Sequence, residues 1–290
     1  MFSGSIVAIV TPFKNGKVDF DKLKELIEFQ INNGTHGIVP CGTTGESATL
    51  SHQEHEEVIE ATVKFVKKRI KVIAGTGSNN TLEAISLTKS AKKSGVDGCL
   101  LVSPYYNKPT QEGLYKHFKK IADEVDIPLI LYNIQSRTGV NIEPETVYRL
   151  VNDCKNIIGI KEASGSLDQM SKIKYLCPKI DLLSGDDSLT LPILSIGGCG
   201  VISVVANIVP KDVSELVNNY LNKNFEKALK LHYKLFPLIK AMFIETNPIP
   251  VKTSMGILGM CSSELRLPLT SMSEQNLEKL KKSLIDYGLL

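Results

Sequence analysis

Eight short β-branched runs, each followed by a stretch with helical apolar spacing, constrain this chain more than any other feature. The runs are Ser5–Val10, Gly37–Cys41, Lys71–Ala74, Gly98–Val102, Pro128–Tyr132, Ile157–Ile160, Asp181–Ser184 and Val201–Val205. Few charges interrupt them, as in parallel strands buried on both faces. Between them apolar residues recur at three- and four-residue steps; Phe20, Leu23, Ile27 and Ile31 are the first such set. Further helices are predicted over Ser51–Lys68, Thr81–Ser94, Thr110–Val125, Pro144–Asn152, Ser166–Leu176, Ser188–Ile196 and Pro210–Leu221. Ser51 with Glu54 reads as a capping box. This rhythm predicts an α/β fold, a (β/α)8 TIM barrel over residues 1–224. A doubly wound open sheet is the alternative. From Phe225 the strand signal stops, and residues 225–290 read as a C-terminal helical domain broken at Asn247-Pro248-Ile249-Pro250.

Composition narrows the function classes. Hydrophobic residues form 42% of the chain, enough for a large core. The net charge is only +3, with no concentrated basic face, so nucleic acid is not an expected partner. No apolar run approaches ~18 residues and no signal-type start is present, so the expectation is a cytoplasmic protein without a membrane span. None of the six cysteines forms a C-x-x-C pair or a metal-ligand spacing with His, so structural thiols and no metal site are expected.

Active sites of such barrels lie at the C-terminal strand ends. After the second run comes Gly42-Thr43-Thr44-Gly45-Glu46-Ser47, whose hydroxyls and free N–H groups suit a carboxylate or phosphate, or form an ordinary βα turn. No Walker-type lysine is present there, and Gly75-Thr76-Gly77 lacks the third glycine of a dinucleotide fingerprint. The sixth run ends in Ile158-Gly159-Ile160-Lys161-Glu162. Strand alternation puts Lys161 on one face with Gly159, opposite Ile158 and Ile160. Facing the barrel mouth, Lys161 is desolvated and suited to forming a Schiff base with a carbonyl; alternatively it leaves the strand and reaches solvent. Tyr132 is placed to move protons and Arg137 to grip a carboxylate, unless they are a core tyrosine and a surface arginine. Tyr105-Tyr106 in a Pro-flanked loop suits packing or a subunit interface.

Thr11-Pro12-Phe13, Gly42-Thr43-Thr44-Gly45-Glu46, Pro104-Tyr105-Tyr106-Asn107, Tyr132-Asn133, Arg137-Thr138-Gly139, Gly159-Ile160-Lys161-Glu162 and Leu183-Ser184-Gly185-Asp186-Asp187 fall in order along the chain. In these motifs, over essentially its full length, the chain resembles the dihydrodipicolinate synthase family of pyruvate-dependent class I aldolases. The Thr43-Thr44 pair and Arg137 are the narrower features. The resemblance implies condensation of pyruvate with L-aspartate 4-semialdehyde, toward diaminopimelate and lysine. It implies an imine of pyruvate on Lys161 and no other cofactor. Thr44 and turn N–H groups would hold the pyruvate carboxylate, while Tyr132, Thr43 and Tyr106 would relay protons, Tyr106 from a neighbouring subunit. Arg137 would hold the semialdehyde carboxylate, and Gly185 and Ile202 would line the site through backbone atoms. A homotetramer, a pair of tight dimers, is implied as well.

The resemblance further implies an inhibitory site for L-lysine at a subunit interface. Its matching positions are Ser47, Ala48, Leu50, His52, His55, Gly77, Asn79, Glu83 and Tyr105. One position departs from the pattern: Gln135 stands where these enzymes usually carry proline. Proline would stiffen the turn bearing Arg137, so glutamine leaves the aim of that arginine open. Two rival readings are an aldolase for a sialic or 2-keto-3-deoxy sugar acid, which shares Lys161 and Tyr132, and a non-catalytic barrel that binds small keto or amino acids.

Overall fold

The apolar runs become strands because both of their faces are covered. In the computed structural model, which describes residues 2–290, eight parallel strands close into a barrel. They are β1 (Gly4–Ala8), β2 (Gly37–Val39), β3 (Lys71–Gly75), β4 (Gly98–Val102), β5 (Leu129–Asn133), β6 (Ile157–Glu162), β7 (Asp181–Ser184) and β8 (Gly200–Ser203). Each pairs with its sequence neighbour, and β8 closes on β1 through Gly4–Gly200 to Val7–Ser203. The surrounding helices are α1 (Phe20–Asn32), α2 (His52–Val66), α3 (Thr81–Ser94), α4 (Gln111–Glu124), α5 (Pro144–Asp153), α6 (Leu167–Leu176), α7 (Thr190–Ser195) and α8 (Pro210–Leu221). The open-sheet alternative is thereby excluded. The capping box is present, with Ser51 Oγ accepting from Glu54 N–H and Glu54 Oε2 accepting from Ser51 N–H.

Two apolar clusters follow the strand alternation. Ile6, Val39, Ile73, Leu100, Ile130 and Leu183 fill the barrel interior. Val7, Ile38, Val72, Leu101, Leu131 and Leu182 face the helices. In β6 the alternation is broken. Leu129 pairs with Ile157 but Ile130 pairs with Gly159, so Ile158 is an extra residue in a bulge. Ile158 consequently packs on the interior cluster, and only Ile160 faces the helices as the alternation predicts. Past the bulge the register is regular and brings Lys161 beside Tyr132.

The C-terminal helices α9 (Phe225–Ala241), α10 (Ile249–Ile257) and α11 (Glu274–Tyr287) do not build a core of their own. Leu235 and Leu238 of α9, Val251 and Met255 of α10, and Leu280 and Leu284 of α11 belong to the same buried cluster as the barrel helices. That shared packing carries the α9–α10 connection and Lys252 against the loops that follow the strands. The hairpin of Phe13–Lys14 and Lys17–Val18 and the one-turn helix Gln135–Thr138 lie outside the predicted elements. Both are too short to show a hydrophobic period. No helix among the described residues is long and apolar enough to cross a membrane. All six cysteines are free thiols; burial pushes Cys99 and Cys199 up to about 12, which leaves them unreactive at neutral pH.

Candidate active site

Lys161 lies inside β6 and is 6% exposed, so it has not left the strand for solvent. Its register partners are Tyr132 on β5 and Leu183 on β7. Nζ sits 4.1 Å from the centroid of the Tyr132 ring. A second buried lysine, Lys252, differs in its surroundings. Lys252 is ion-paired with Glu46, whereas Lys161 bonds no carboxylate among the described residues and meets an aromatic face. An amine held in this way, with no ion-pair partner to occupy its nitrogen, is placed to attack a carbonyl. Space for it depends on Gly185, whose N–H donates to Glu162 O at 2.8 Å. A Cβ there would lie 3.2 Å from Lys161 Cε and 2.7 Å from Ala163 Cβ.

Behind this pair, on the outer side of the strands, Asn133 and Glu162 are also register partners. Asn133 Nδ2 donates to Glu162 Oε1 and Oε2 at 3.2 and 3.1 Å, and Gln169 Nε2 donates to Oε2 at 3.0 Å. This buried polar clamp holds the two strand ends in the register that aligns Lys161 with Tyr132.

The turn after β2 is built on close backbone contacts. A Cβ on Gly75 would fall 2.3 Å from Cys41 O, so only glycine lets the turn cross the end of β3. Thr11 Oγ1 donates to Gly45 O at 2.7 Å. Glu46 adopts a left-handed backbone, φ 53°, an unfavourable conformation that its side-chain partners retain. Lys252 Nζ donates to Glu46 Oε1 at 2.6 Å and to Thr11 O at 2.9 Å. Arg266 N–H donates to Glu46 Oε2 at 3.2 Å. The Phe13 ring has Lys252 Nζ 4.2 Å and Arg266 Cζ 4.3 Å from its centroid. The turn is thus held by the C-terminal helices. Within it Thr44 is buried and Thr43 half-buried.

Arg137 stands on the one-turn helix Gln135–Thr138 and is exposed. Gln135 occupies the first helical position, where the N–H has no intrahelical partner, so the donor that proline would lack makes no helix bond here. Arg137 is instead aimed by Asn247, whose backbone O accepts from Nη2 at 3.1 Å. Asn247 Nδ2 also donates to Thr44 Oγ1 at 3.0 Å. One buried residue therefore ties the threonine turn to the arginine. The sequence reading passed over Asn247, Lys252 and Arg266. Asn247 is legible in sequence only as part of the Asn247-Pro248 break, and no local signal marks Lys252 or Arg266.

Gly185 lies just past β7, and Ile202 is buried in β8 on the interior cluster. Tyr106 stands apart from Lys161 and Tyr132 within this chain. It is 89% exposed with φ 69°, a strained backbone that turns its ring outward.

The nine positions matched to a lysine site divide into four groups. Glu83 accepts from Ser78 and contacts His52 Nε2 at 2.8 Å; the Ser78 hydroxyl holds its carboxyl below the usual range. Asn79 Nδ2 donates to Tyr105 O at 3.1 Å. Ser47, Ala48 and Leu50 lie at the surface between the threonine turn and α2, and Gly77 is half-buried ahead of α3. His55 differs, being buried with Nε2 2.9 Å from Gly75 O. Burial lowers its pKa, so it offers a neutral ring rather than a charge.

Comparison with known proteins identifies the family. The dihydrodipicolinate synthetase family model matches residues 1–286. A 4-hydroxy-tetrahydrodipicolinate synthase of Endomicrobium trichonymphae is 63% identical over all of both chains. A solved dihydrodipicolinate synthase from Aquifex aeolicus superposes with a TM-score of 0.98 at 55% identity, covering 99% of each chain. Solved relatives include the Acinetobacter baumannii enzyme complexed with pyruvate (47% identity, 100% of both chains, TM-score 0.97). Another is the Cyanidioschyzon merolae enzyme with lysine bound (42% identity, 100% of this chain and 99% of that one, TM-score 0.97). With a family match over nearly the whole chain and full-length relatives above half identity, this chain belongs to the dihydrodipicolinate synthase family.

Proposed function

We propose that this chain condenses pyruvate with L-aspartate 4-semialdehyde to give 4-hydroxy-tetrahydrodipicolinate. The observation that carries the reading is the buried, carboxylate-free Lys161 stacked 4.1 Å over Tyr132 in a chain of this family. The Lys161 amine adds to pyruvate C2, and loss of water leaves an iminium. That cation withdraws electrons from the methyl carbon, which gives up a proton to form an enamine. The enamine carbon attacks the aldehyde, whose oxygen takes a proton and becomes the 4-hydroxyl. The amine of the semialdehyde portion then displaces Lys161 at C2, closing the ring and freeing the enzyme.

In this reading Thr44 and the N–H groups of its turn hold the pyruvate carboxylate, and Arg137 holds that of the semialdehyde. Tyr132, Thr43 and Tyr106 pass the protons. The exposed Tyr106 ring suits a role in a second copy's site, so the active form is a dimer within a homotetramer. The backbone of Gly185 and Ile202 completes the wall. The imine itself is the electron sink, so the mechanism calls on no separate cofactor. L-Lysine is the proposed inhibitor, bound where Glu83, His52, Asn79 and Tyr105 gather beside Ser47, Ala48, Leu50, His55 and Gly77.

Borohydride reduction in the presence of pyruvate tests the chemistry: the reduced pyruvate adduct is expected on Lys161, and its absence removes any class I aldolase reading. Turnover of L-aspartate 4-semialdehyde against N-acetylneuraminate separates the synthase from a sugar-acid aldolase. A stable, fully active monomer would overturn the role of Tyr106.

A further inference from the structure

Asn247 is 5% exposed, yet its Oδ1 is buried without a hydrogen-bond partner among the described residues. A buried amide oxygen in that state is unfavourable unless something donates to it. Two other polar atoms of the residue are engaged. Nδ2 donates to Thr44 Oγ1 at 3.0 Å, and the backbone O accepts from Arg137 Nη2 at 3.1 Å. The amide orientation is consistent with the chemistry: a Thr44 hydroxyl that donates to a carboxylate must itself accept, which assigns Nδ2 to Thr44 and leaves Oδ1 free.

We infer that Asn247 Oδ1 is the acceptor for the α-ammonium group of the incoming amino-acid semialdehyde. This rests on the condensation proposed above. The chemistry of the ligand fits the placement. With its carboxylate on Arg137, the substrate carries its ammonium on the adjoining carbon, next to the residue that bonds Arg137. The guanidinium keeps four further N–H donors for the carboxylate after its bond to Asn247. A carboxylate at position 247 would compete with both substrate carboxylates for Arg137 and Thr44. A neutral oxygen recognises the ammonium without that competition. Asn247 thus acts as a specificity residue that distinguishes an α-amino semialdehyde from its deamino counterpart.

The test compares L-aspartate 4-semialdehyde with succinate semialdehyde, the same skeleton without the amine, in the full-length wild-type enzyme and in Asn247→Ala and Asn247→Ser. Imine formation with pyruvate is followed separately by borohydride trapping. The wild type is expected to favour the amino substrate, by kcat/KM or by the deamino compound's inhibition constant. Asn247→Ala should lower kcat/KM for the amino substrate about ten- to a hundredfold, the range for a hydrogen bond to a charged group. The deamino compound, which loses only the brace on Thr44, should fall at least about fivefold less, and Asn247→Ser should recover part of the loss. Equal losses for both compounds would overturn the inference and reduce Asn247 to a brace for Thr44 and Arg137. Unchanged discrimination in both variants would overturn it too. Failure of the underlying condensation looks different: the wild type itself would form no imine or consume no semialdehyde.

Discussion

Lys252 Nζ lies 2.6 Å from Glu46 Oε1, and neither side chain exposes any surface to solvent. The pair joins the last third of the chain to the turn that carries Thr43 and Thr44. Burial lowers the Lys252 pKa, and the Glu46 carboxylate opposes that fall. Removing one partner leaves an uncompensated buried charge, which costs about 3–5 kcal/mol. Lys252→Met is therefore expected to lower Tm sharply and to raise the KM for pyruvate in whatever folded enzyme remains. Lys252→Met combined with Glu46→Gln should recover much of the stability, because no charge is left buried. It should not recover the KM, because the left-handed turn at Glu46 has lost its anchor. Thermal melts and steady-state kinetics on the two variants check both halves.

Gly185→Ala isolates the space around the nucleophile. The added methyl meets Ala163 Cβ at 2.7 Å, which forces the strand ends to shift, and Lys161 Cε at 3.2 Å, which displaces the lysine by a few tenths of an ångström from its place over Tyr132. Overpacking of this kind destabilises by about 1–3 kcal/mol, which a barrel of this size survives. The expected outcome is a folded protein whose trapping with pyruvate and borohydride is slowed at least about tenfold. Trapping at the wild-type rate would show that Lys161 has other room to move.

Tyr132→Phe keeps the ring under Lys161 Nζ but removes the hydroxyl. The stacking at 4.1 Å does not need the oxygen, so the variant should fold and still bind pyruvate. Loss of a general acid–base group typically lowers turnover by about 10²–10⁴-fold. Steady-state kcat beside a melting curve separates this from simple destabilisation.

Acid should loosen the C-terminal anchoring through Glu54. Its bidentate hydrogen bonds with Arg266, at 2.7 and 2.5 Å, hold its pKa down to about 2. An unfolded Glu titrates near about 4.3, so the folded state binds the proton less tightly. The stabilisation is complete above that pH and is lost as pH falls toward 2. Glu54→Gln should flatten the acid limb of the stability curve between these values. The side chain is partly solvated, so the effect is a modest one. Chemical denaturation at stepped pH measures it.

Glu83→Ala tests the inhibitory site apart from the catalytic one. Glu83 contacts His52 and Ser78 and touches neither Lys161 nor Tyr132. Activity without lysine is expected to stay near wild type, while inhibition by L-lysine is lost. Wild-type activity unchanged at millimolar lysine would remove the site altogether.

The sequence by itself determined the barrel and pointed to most of the candidate site. Strands and helices each bury apolar residues at a fixed local period, so their order is legible one segment at a time. The G-T-T-G-E turn, Tyr132, Arg137 and Lys161 were legible as candidates for a similar reason, since each is chemically distinctive and lies at a strand end or in the segment just after it. The bulge at Ile158 was not, because an extra residue in one strand shows only against its partner. Nor were the links from Lys252 to Glu46 and from Asn247 to Thr44, which span 206 and 203 residues of chain. Local pattern carries no information about which distant groups meet, and a buried charge or amide declares its role only when its partner is in place. Tertiary structure therefore decided how the turn is held, where Arg137 is aimed, and which polar atom between them still lacks a partner.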